Sequence, residues 1–337
     1  IGPSKIALRR FLPALHKLND FKYIGVAIAN EMEWASDSVS KQSNLEKIYK
    51  VEKDKASQFI DGFGGKVFES YTEMIHSNEI DAIYLPLPPA LHYKWASIAI
   101  KAGKHVLIEK PSTVSLNETK DLIRLAKQKN VALHENYMFV YHNQLDQINN
   151  IIKSGKIGNV RLYRMSFGFP RRASNDFRYN KVLGGGALLD CGGYTLKYAA
   201  MLLGDSVKIL CAQSNFINEF DVDISGSATL INDQNITAQV AFGMDNSYKC
   251  DLEVWGSVGC LSAGRIFTAP EGFIPKIKIV RGNIEEIIDL SHDDTFKKSI
   301  SHFHRCIIDK DIREMTIKDM AKQSELIETF YKRTFNV

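Results

Sequence analysis

Two hydrophobic rhythms divide the chain. Between residue 1 and about 137, short apolar runs alternate with stretches of helical period. The runs are Phe21–Ala29, Ile80–Pro86, His105–Ile108 and Val131–His134. Unbroken apolar runs of this length predict strands buried on both faces of a parallel sheet. Helices are predicted over 8–15, 52–63, 92–102 and 116–129, the last opened by the capping pair Ser115 and Glu118. This β-α-β-α alternation predicts an α/β fold with a Rossmann-type parallel sheet. The rhythm changes after helix 144–154 and a long strand, Val160–Gly168. From Val207 to about Ile288 strands follow one another, with turns at Asn232-Asp233, Asp245-Asn246 and Arg281-Gly282-Asn283. Strands without intervening helices predict an α+β domain with a large, mostly antiparallel open sheet. Helix 185–203 is expected to cover one of its faces. Closing helices are expected near 294–309 and 317–333, the second opened by Thr316 and Asp319. The expected domains are therefore 1–137 and 138–337.

Bulk properties narrow the field. A length of 337 residues suits two domains. The net charge of +4 is small, and no basic run argues for nucleic acid. No stretch approaches the roughly 18 apolar residues of a membrane span. The five cysteines are scattered and none forms a C-x-x-C pair, which fits a cytoplasmic protein and gives no metal-binding spacing.

Candidate chemistry gathers at the strand ends. The segment Gly103-Lys104-His105-Val106-Leu107-Ile108-Glu109-Lys110-Pro111 is a turn, a buried strand and an abrupt polar stop. In open α/β sheets ligands sit beyond the carboxyl ends of the strands, so Glu109 and Lys110 face a ligand. Pro111 restricts the backbone of Lys110 and fixes where its ammonium points. Gly2, Ser4 and Ala7 have the spacing of G-x-G-x-x-G with small replacements. With Lys5 and Ile6 between them, they would let a pyrophosphate approach a helix N-terminus. The strand that should precede Gly2 is missing, so the natural chain is expected to begin several residues earlier. Asn30 and Glu31 close the run Phe21–Ala29, where an acidic residue would bind the adenine ribose of NAD. Asn30 in the first tip position favours NADP(H) over NAD(H). The polar stretch 32–51 reads as a long loop. Pro86 and Leu87 end the next strand. His92 and Trp95, one helical turn apart, are either a core pair or a wall of the nicotinamide pocket.

In the second half Asp190, Tyr194 and Lys197 stand at i, i+4 and i+7 and would share one helix face. Their neighbours are strongly apolar, and a polar stripe on a buried helix is costly unless it meets a partner or ligand. Arg172 and Arg178, with Lys197, are candidates for a substrate diphosphate; solvated surface charge is the plain alternative.

These motifs resemble the glucose–fructose oxidoreductase, inositol dehydrogenase and rhizopine-catabolism (Gfo/Idh/MocA) oxidoreductases. The stretches that carry the resemblance are Gly2-x-Ser4-x-x-Ala7, Tyr84-Leu85-Pro86-Leu87-Pro88 with His92 and Trp95, 102–111, and Gly184 to Tyr194. The segment Ile6–Leu15 is similar to the branch that reduces 3-keto groups of nucleotide-linked deoxysugars. The resemblance implies an NAD(P)-dependent enzyme acting on a sugar or polyol carbonyl, built as a homodimer or homotetramer. It implies that Lys110 lies beside the nicotinamide ribose and the reacting carbonyl. It further implies that Tyr194 donates the proton and that Asp190 binds substrate hydroxyls. Pro89 departs from the Asn common in the family. A dihydrodiol or free-sugar dehydrogenase, or a non-catalytic sugar sensor on the same scaffold, remains an alternative.

Overall fold

The structure is a computed structural model that describes residues 1–36 and 45–335. By their contacts these residues form two compact units. The first comprises Ile1–Asn136, Val182–Gly184 and Phe296–Lys322; the second comprises Tyr137–Lys181, Gly185–Thr295 and Gln323–Val337. The segment Phe296–Lys322, far along the chain, thus packs with the N-terminal unit.

In the first unit the strands are β1 (Gly25–Ala27), β2 (Lys66–Phe68), β3 (Ala82–Leu85), β4 (His105–Ile108) and β5 (Leu133–Glu135). β1 pairs with β2, and β3, β4 and β5 pair in that order, all in parallel. Residues 1 and 2 lie between the two sets. The Ile1 amine donates to Tyr84 O at 2.9 Å, and Gly2 N donates to Ala27 O at 2.9 Å. The expected strand 21–29 contracts to β1 because its ladder partner, β2, is only three residues long. β2 carried too little apolar character to be predicted. The apolar runs nevertheless form the core, with Val106, Ile108, Leu85, Ile100 and Leu133 at 0 % exposure. Burying each such side chain contributes roughly 1.5–3 kcal/mol.

The expected loop 32–51 is largely replaced by helices. Glu31–Ser36 and Leu45–Phe63 are helical, and 37–44 lies outside the described residues. The first helix starts at Asn30 through a reciprocal cap: Glu33 N donates to Asn30 Oδ1 at 2.9 Å, and Asn30 N donates to Glu33 Oε2 at 3.0 Å. Helix Leu116–Lys129 matches its expected bounds, with Ser115 Oγ accepting from Glu118 N. The closing helix differs from expectation. It runs Lys310–Phe335, opened by Asp309, whose Oδ1 accepts from Asp311 N and Ile312 N. Thr316 lies inside it and donates to Ile312 O, so it is not a cap.

The second unit is an eight-stranded sheet. Its strands are β6 (Val160–Gly168), β7 (Lys208–Phe216), β8 (Asp223–Ile231), β9 (Thr237–Gly243), β10 (Lys249–Gly256), β11 (Cys260–Gly264), β12 (Lys276–Arg281) and β13 (Ile284–Asp289). The order is β13-β12-β11-β10-β6-β9-β8-β7, antiparallel except for β6 with β9. Its register aligns Ile277, Ala263, Leu252, Met165, Val240 and Ala228 in one transverse row. All six are buried. The period-two alternation of the sequence has become one covered face, and helix Gly193–Leu203 packs on it against β6 and β9.

His92 and Trp95 resolve as structural residues. Trp95 is 2 % exposed and meets the Tyr71 ring edge-on at 4.9 Å. His92 is fully buried. Its Nδ1 lies 2.8 Å from Pro111 O and its Nε2 2.8 Å from Leu87 O, so it clamps the two loops that follow β3 and β4. The expected nicotinamide wall is therefore corrected: a side chain at 0 % exposure stands behind the surface. Burial lowers the His92 pKa to about 4, outweighing the two carbonyls that favour the imidazolium. The folded protein thus binds this proton more weakly than the unfolded chain, whose histidine titrates near 6.5. Stability from neutral His92 is present above that value and lost as pH falls toward 4. We predict that acidification across this window costs on the order of 3 kcal/mol in the first unit, read by urea unfolding. His92→Gln should flatten that part of the pH profile; an unchanged slope would contradict the clamp.

Candidate functional site

The first unit gathers polar groups at the carboxyl ends of its parallel strands. Tyr84 at the end of β3 donates to Glu109 Oε1 at 2.6 Å. Asn136, just beyond β5, donates to the same oxygen at 2.6 Å. Ser299 Oγ in turn donates to Asn136 Oδ1 at 2.7 Å. Burial pushes the Glu109 pKa up, while the Tyr84 and Asn136 hydrogen bonds and Lys110 draw it down. Glu109 is thus a strut between three strand ends. Lys110 follows it, half-buried, and the Lys110–Pro111 bond is cis. His92 holds Pro111 from behind.

The turn at Gly2 fits a pyrophosphate. Gly2 has φ +78°, and a Cβ there would lie 2.7 Å from Leu87 Cδ2, so only glycine keeps this cradle open. Ser4 Oγ accepts from Ala7 N at 3.2 Å, closing the first turn of the helix. Lys5 and Ile6 are exposed in that turn, beside the N–H groups a phosphate would meet. Pro86 and Leu87 are half-buried across from it. At the end of β1, Glu31 is exposed and Asn30 is half-buried, its Oδ1 used as the cap.

A carboxylate that sequence reasoning missed lies next to them. Glu33 is 7 % exposed and accepts from Tyr71 N, Thr72 N and the Thr72 hydroxyl, besides Asn30 N. Its place three residues after Asn30 was the available signal. Tyr84 and Asn136 were missed too, although both close strands that the apolar runs had located.

The second unit positions Tyr194 at the start of helix Gly193–Leu203, directly after a π-helical turn, Leu188–Gly192. Asp190 is in that π turn, so the expected single α-helical face is instead a π–α junction. Asp223 seats the turn by accepting from Leu188 N at 2.7 Å. Burial raises the Asp223 pKa to about 6 against the backbone N–H groups that bind it. Gly193 packs so close to the Tyr137 hydroxyl that a Cβ would collide with it. Gln323 Nε2 donates to Gly193 O at 2.8 Å and to the Tyr137 hydroxyl at 3.3 Å.

Tyr194 is 6 % exposed, with Tyr137, Phe139, Phe167 and Phe267 around its ring at 5.1–6.0 Å. Its hydroxyl points to Met138 Sδ at 3.9 Å. Arg178 Nε donates to Asp190 Oδ2 at 2.7 Å, and Nη1 reaches Asp176 Oδ1 at 3.2 Å. Burial opposes the Arg178 charge, but Asp190 and Asp176 outweigh it and raise the pKa. Arg178, expected as a diphosphate ligand, is thus ion-paired with two carboxylates. Lys197 lies over the Tyr137 ring at 5.4 Å and exposed Arg172 over Phe169 at 5.0 Å.

Comparison with known proteins agrees with this architecture. The model of the GFO/IDH/MocA oxidoreductase family, NAD-binding Rossmann fold, matches residues 21–137, and that of the family's C-terminal domain matches 145–262. A dTDP-3,4-didehydro-2,6-dideoxy-alpha-D-glucose 3-reductase of Actinomadura kijaniata is 35% identical over 97% of this chain and 92% of its own. One of Saccharopolyspora spinosa is 33% identical over 91% and 86%. The crystal structure of a 3-ketoreductase from Actinomadura kijaniata in complex with NADP and TDP-benzene has a TM-score of 0.88 at 33% identity, covering 99% of this chain and 96% of that one. With both domain types matched and relatives above 30% identity along nearly its whole length, the chain belongs to the Gfo/Idh/MocA family of NAD(P)-dependent oxidoreductases.

Proposed function

We propose that this enzyme reduces the 3-keto group of a TDP-linked deoxysugar, with Lys110 and Tyr194 as its catalytic residues and NADPH as reductant. One observation carries the assignment of residues. Structures of the Actinomadura 3-ketoreductase include forms with one lysine replaced by alanine or glutamate and one tyrosine replaced by phenylalanine. That lysine precedes that tyrosine by the same number of residues that separates Lys110 from Tyr194.

When bound, NADPH supplies the hydride. As the carbonyl carbon accepts it, negative charge grows on the oxygen and must be met by a proton or a positive field. The Tyr194 hydroxyl gives its proton to that oxygen, leaving a sugar alcohol. Lys110 provides the cation that stabilises the charge on oxygen and tyrosinate. Asp190, held by Arg178, is the carboxylate we assign to a sugar hydroxyl. Arg172 and Lys197 are the cations we assign to the diphosphate. Gly2, Ser4, Lys5 and Ile6 receive the cofactor pyrophosphate, and Pro86 and Leu87 flank the nicotinamide. Asn30 receives the 2′-phosphate end, with the nearby Glu33 carboxylate already turned onto backbone N–H groups.

We assign the enzyme to the cytoplasm, in keeping with its five free cysteines. We also infer a homo-oligomer formed through the uncovered face of the eight-stranded sheet. Leu210, Trp255 and Ile287 are 49%, 54% and 61% exposed on its strands. Light scattering that returns a monomer would contradict that inference.

Two outcomes test the catalytic reading. Tyr194→Phe should lower kcat about 100-fold or more while the NADPH Kd, from fluorescence titration, stays within twofold. Wild-type turnover in this variant would remove the proposed acid. Arg172→Ala should raise KM for a TDP-linked keto-sugar about tenfold, a loss of about 1.4 kcal/mol, with kcat retained. Equal loss on a free keto-sugar would show that Arg172 does not read the nucleotide diphosphate.

A further inference from the structure

His134, His302 and Cys306 come together within the first unit, on residues that the oxidoreductase chemistry does not use. Each offers one ligand atom, and these atoms all lie within 4.8 Å of one another. His302 and Cys306 are four residues apart on helix Thr295–Ile308, so both leave the same helix face. His134 meets them from β5, with its ring centroid 5.2 Å from that of His302. His134 and Cys306 are buried and His302 is half-buried.

An outer layer of hydroxyls orients the rings. Ser299 Oγ lies 3.2 Å from His134 Nε2, and Thr316 Oγ1 lies 2.8 Å from His302 Nε2. A polar partner on one ring nitrogen fixes the tautomer and the ring orientation. Thr316 Oγ1 also lies 3.3 Å from Cys306 Sγ.

Two imidazoles and a thiolate are a borderline-soft set that suits Zn²⁺, at about 2.0–2.1 Å from nitrogen and 2.3 Å from sulfur. Ligands on one such ion stand roughly 3.3–3.8 Å apart by tetrahedral geometry. We propose that His134, His302 and Cys306 form a zinc-class metal site, completed by water, that staples helix Thr295–Ile308 to the end of β5. Ser299 belongs both to this site and to the Asn136–Glu109 strut, so the metal would brace the strand ends from behind.

The test uses the full chain, stripped with chelator and titrated with Zn²⁺ alone in a calorimeter. One equivalent should bind, and the thermal midpoint should rise with free Zn²⁺. Co²⁺ should give a thiolate-to-cobalt charge-transfer band that Cys306→Ser abolishes, and His302→Ala should weaken Zn²⁺ at least tenfold. NADPH oxidation by each variant reports that it has folded. Absence of binding or of the cobalt band in the wild-type chain would overturn the proposal. Undiminished binding in both variants would do the same.

Discussion

A half-buried carboxylate at the ends of parallel strands is the constraint on which the first unit depends. Glu109 is costly to bury, and burial raises its pKa. Tyr84 and Asn136 meet that cost by donating from the two neighbouring strand ends. The result is a fixed crosspiece over β3, β4 and β5. Lys110 inherits its position from that crosspiece on one side and from the His92-held Pro111 on the other. The catalytic role proposed for Lys110 needs such support, because a flexible four-carbon stem spends binding energy on its own ordering.

The second unit solves a related problem with apolar material. The Tyr194 phenol, the proposed proton donor, is lodged among four aromatic rings, which fix its plane. The helix that carries it starts from a π turn seated by Asp223 and from a glycine pressed against Tyr137. The Gly-Gly pair at 192 and 193 is thereby explained by packing as well as by access. Arg178 and Asp190 spend their charges on each other, which keeps both in a half-buried place without an isolated ion.

Much of this was legible in the sequence, for a physical reason. Buried strands of a parallel sheet carry apolar side chains on both faces, so His105–Ile108 and the polar stop after it could be located directly. Ser115 and Glu118 marked a helix start by local hydrogen bonding alone. What escaped reading depended on partners distant in the chain. β2 exists because β1 pairs with it, and Glu33 is buried because Tyr71 and Thr72 donate to it. Thr316 carried the pattern of a cap, but Asp309 won the helix start and left it in the interior. His92 had the address of a cofactor residue and turned out to be a clamp. The ion pairs of Arg178 with Asp176 and Asp190 also join residues that no local pattern links.

The reaction proposed for this chain delivers a hydride to a ring ketone and a proton to its oxygen. Following the hydride tests this most directly. The enzyme would be given NADPH deuterated at the transferable C4 position and a TDP-linked 3-keto-deoxysugar, and the product read by NMR and mass spectrometry. The account predicts one deuterium on C3 of the sugar. Product formed without deuterium, or with deuterium on any other carbon, would contradict it.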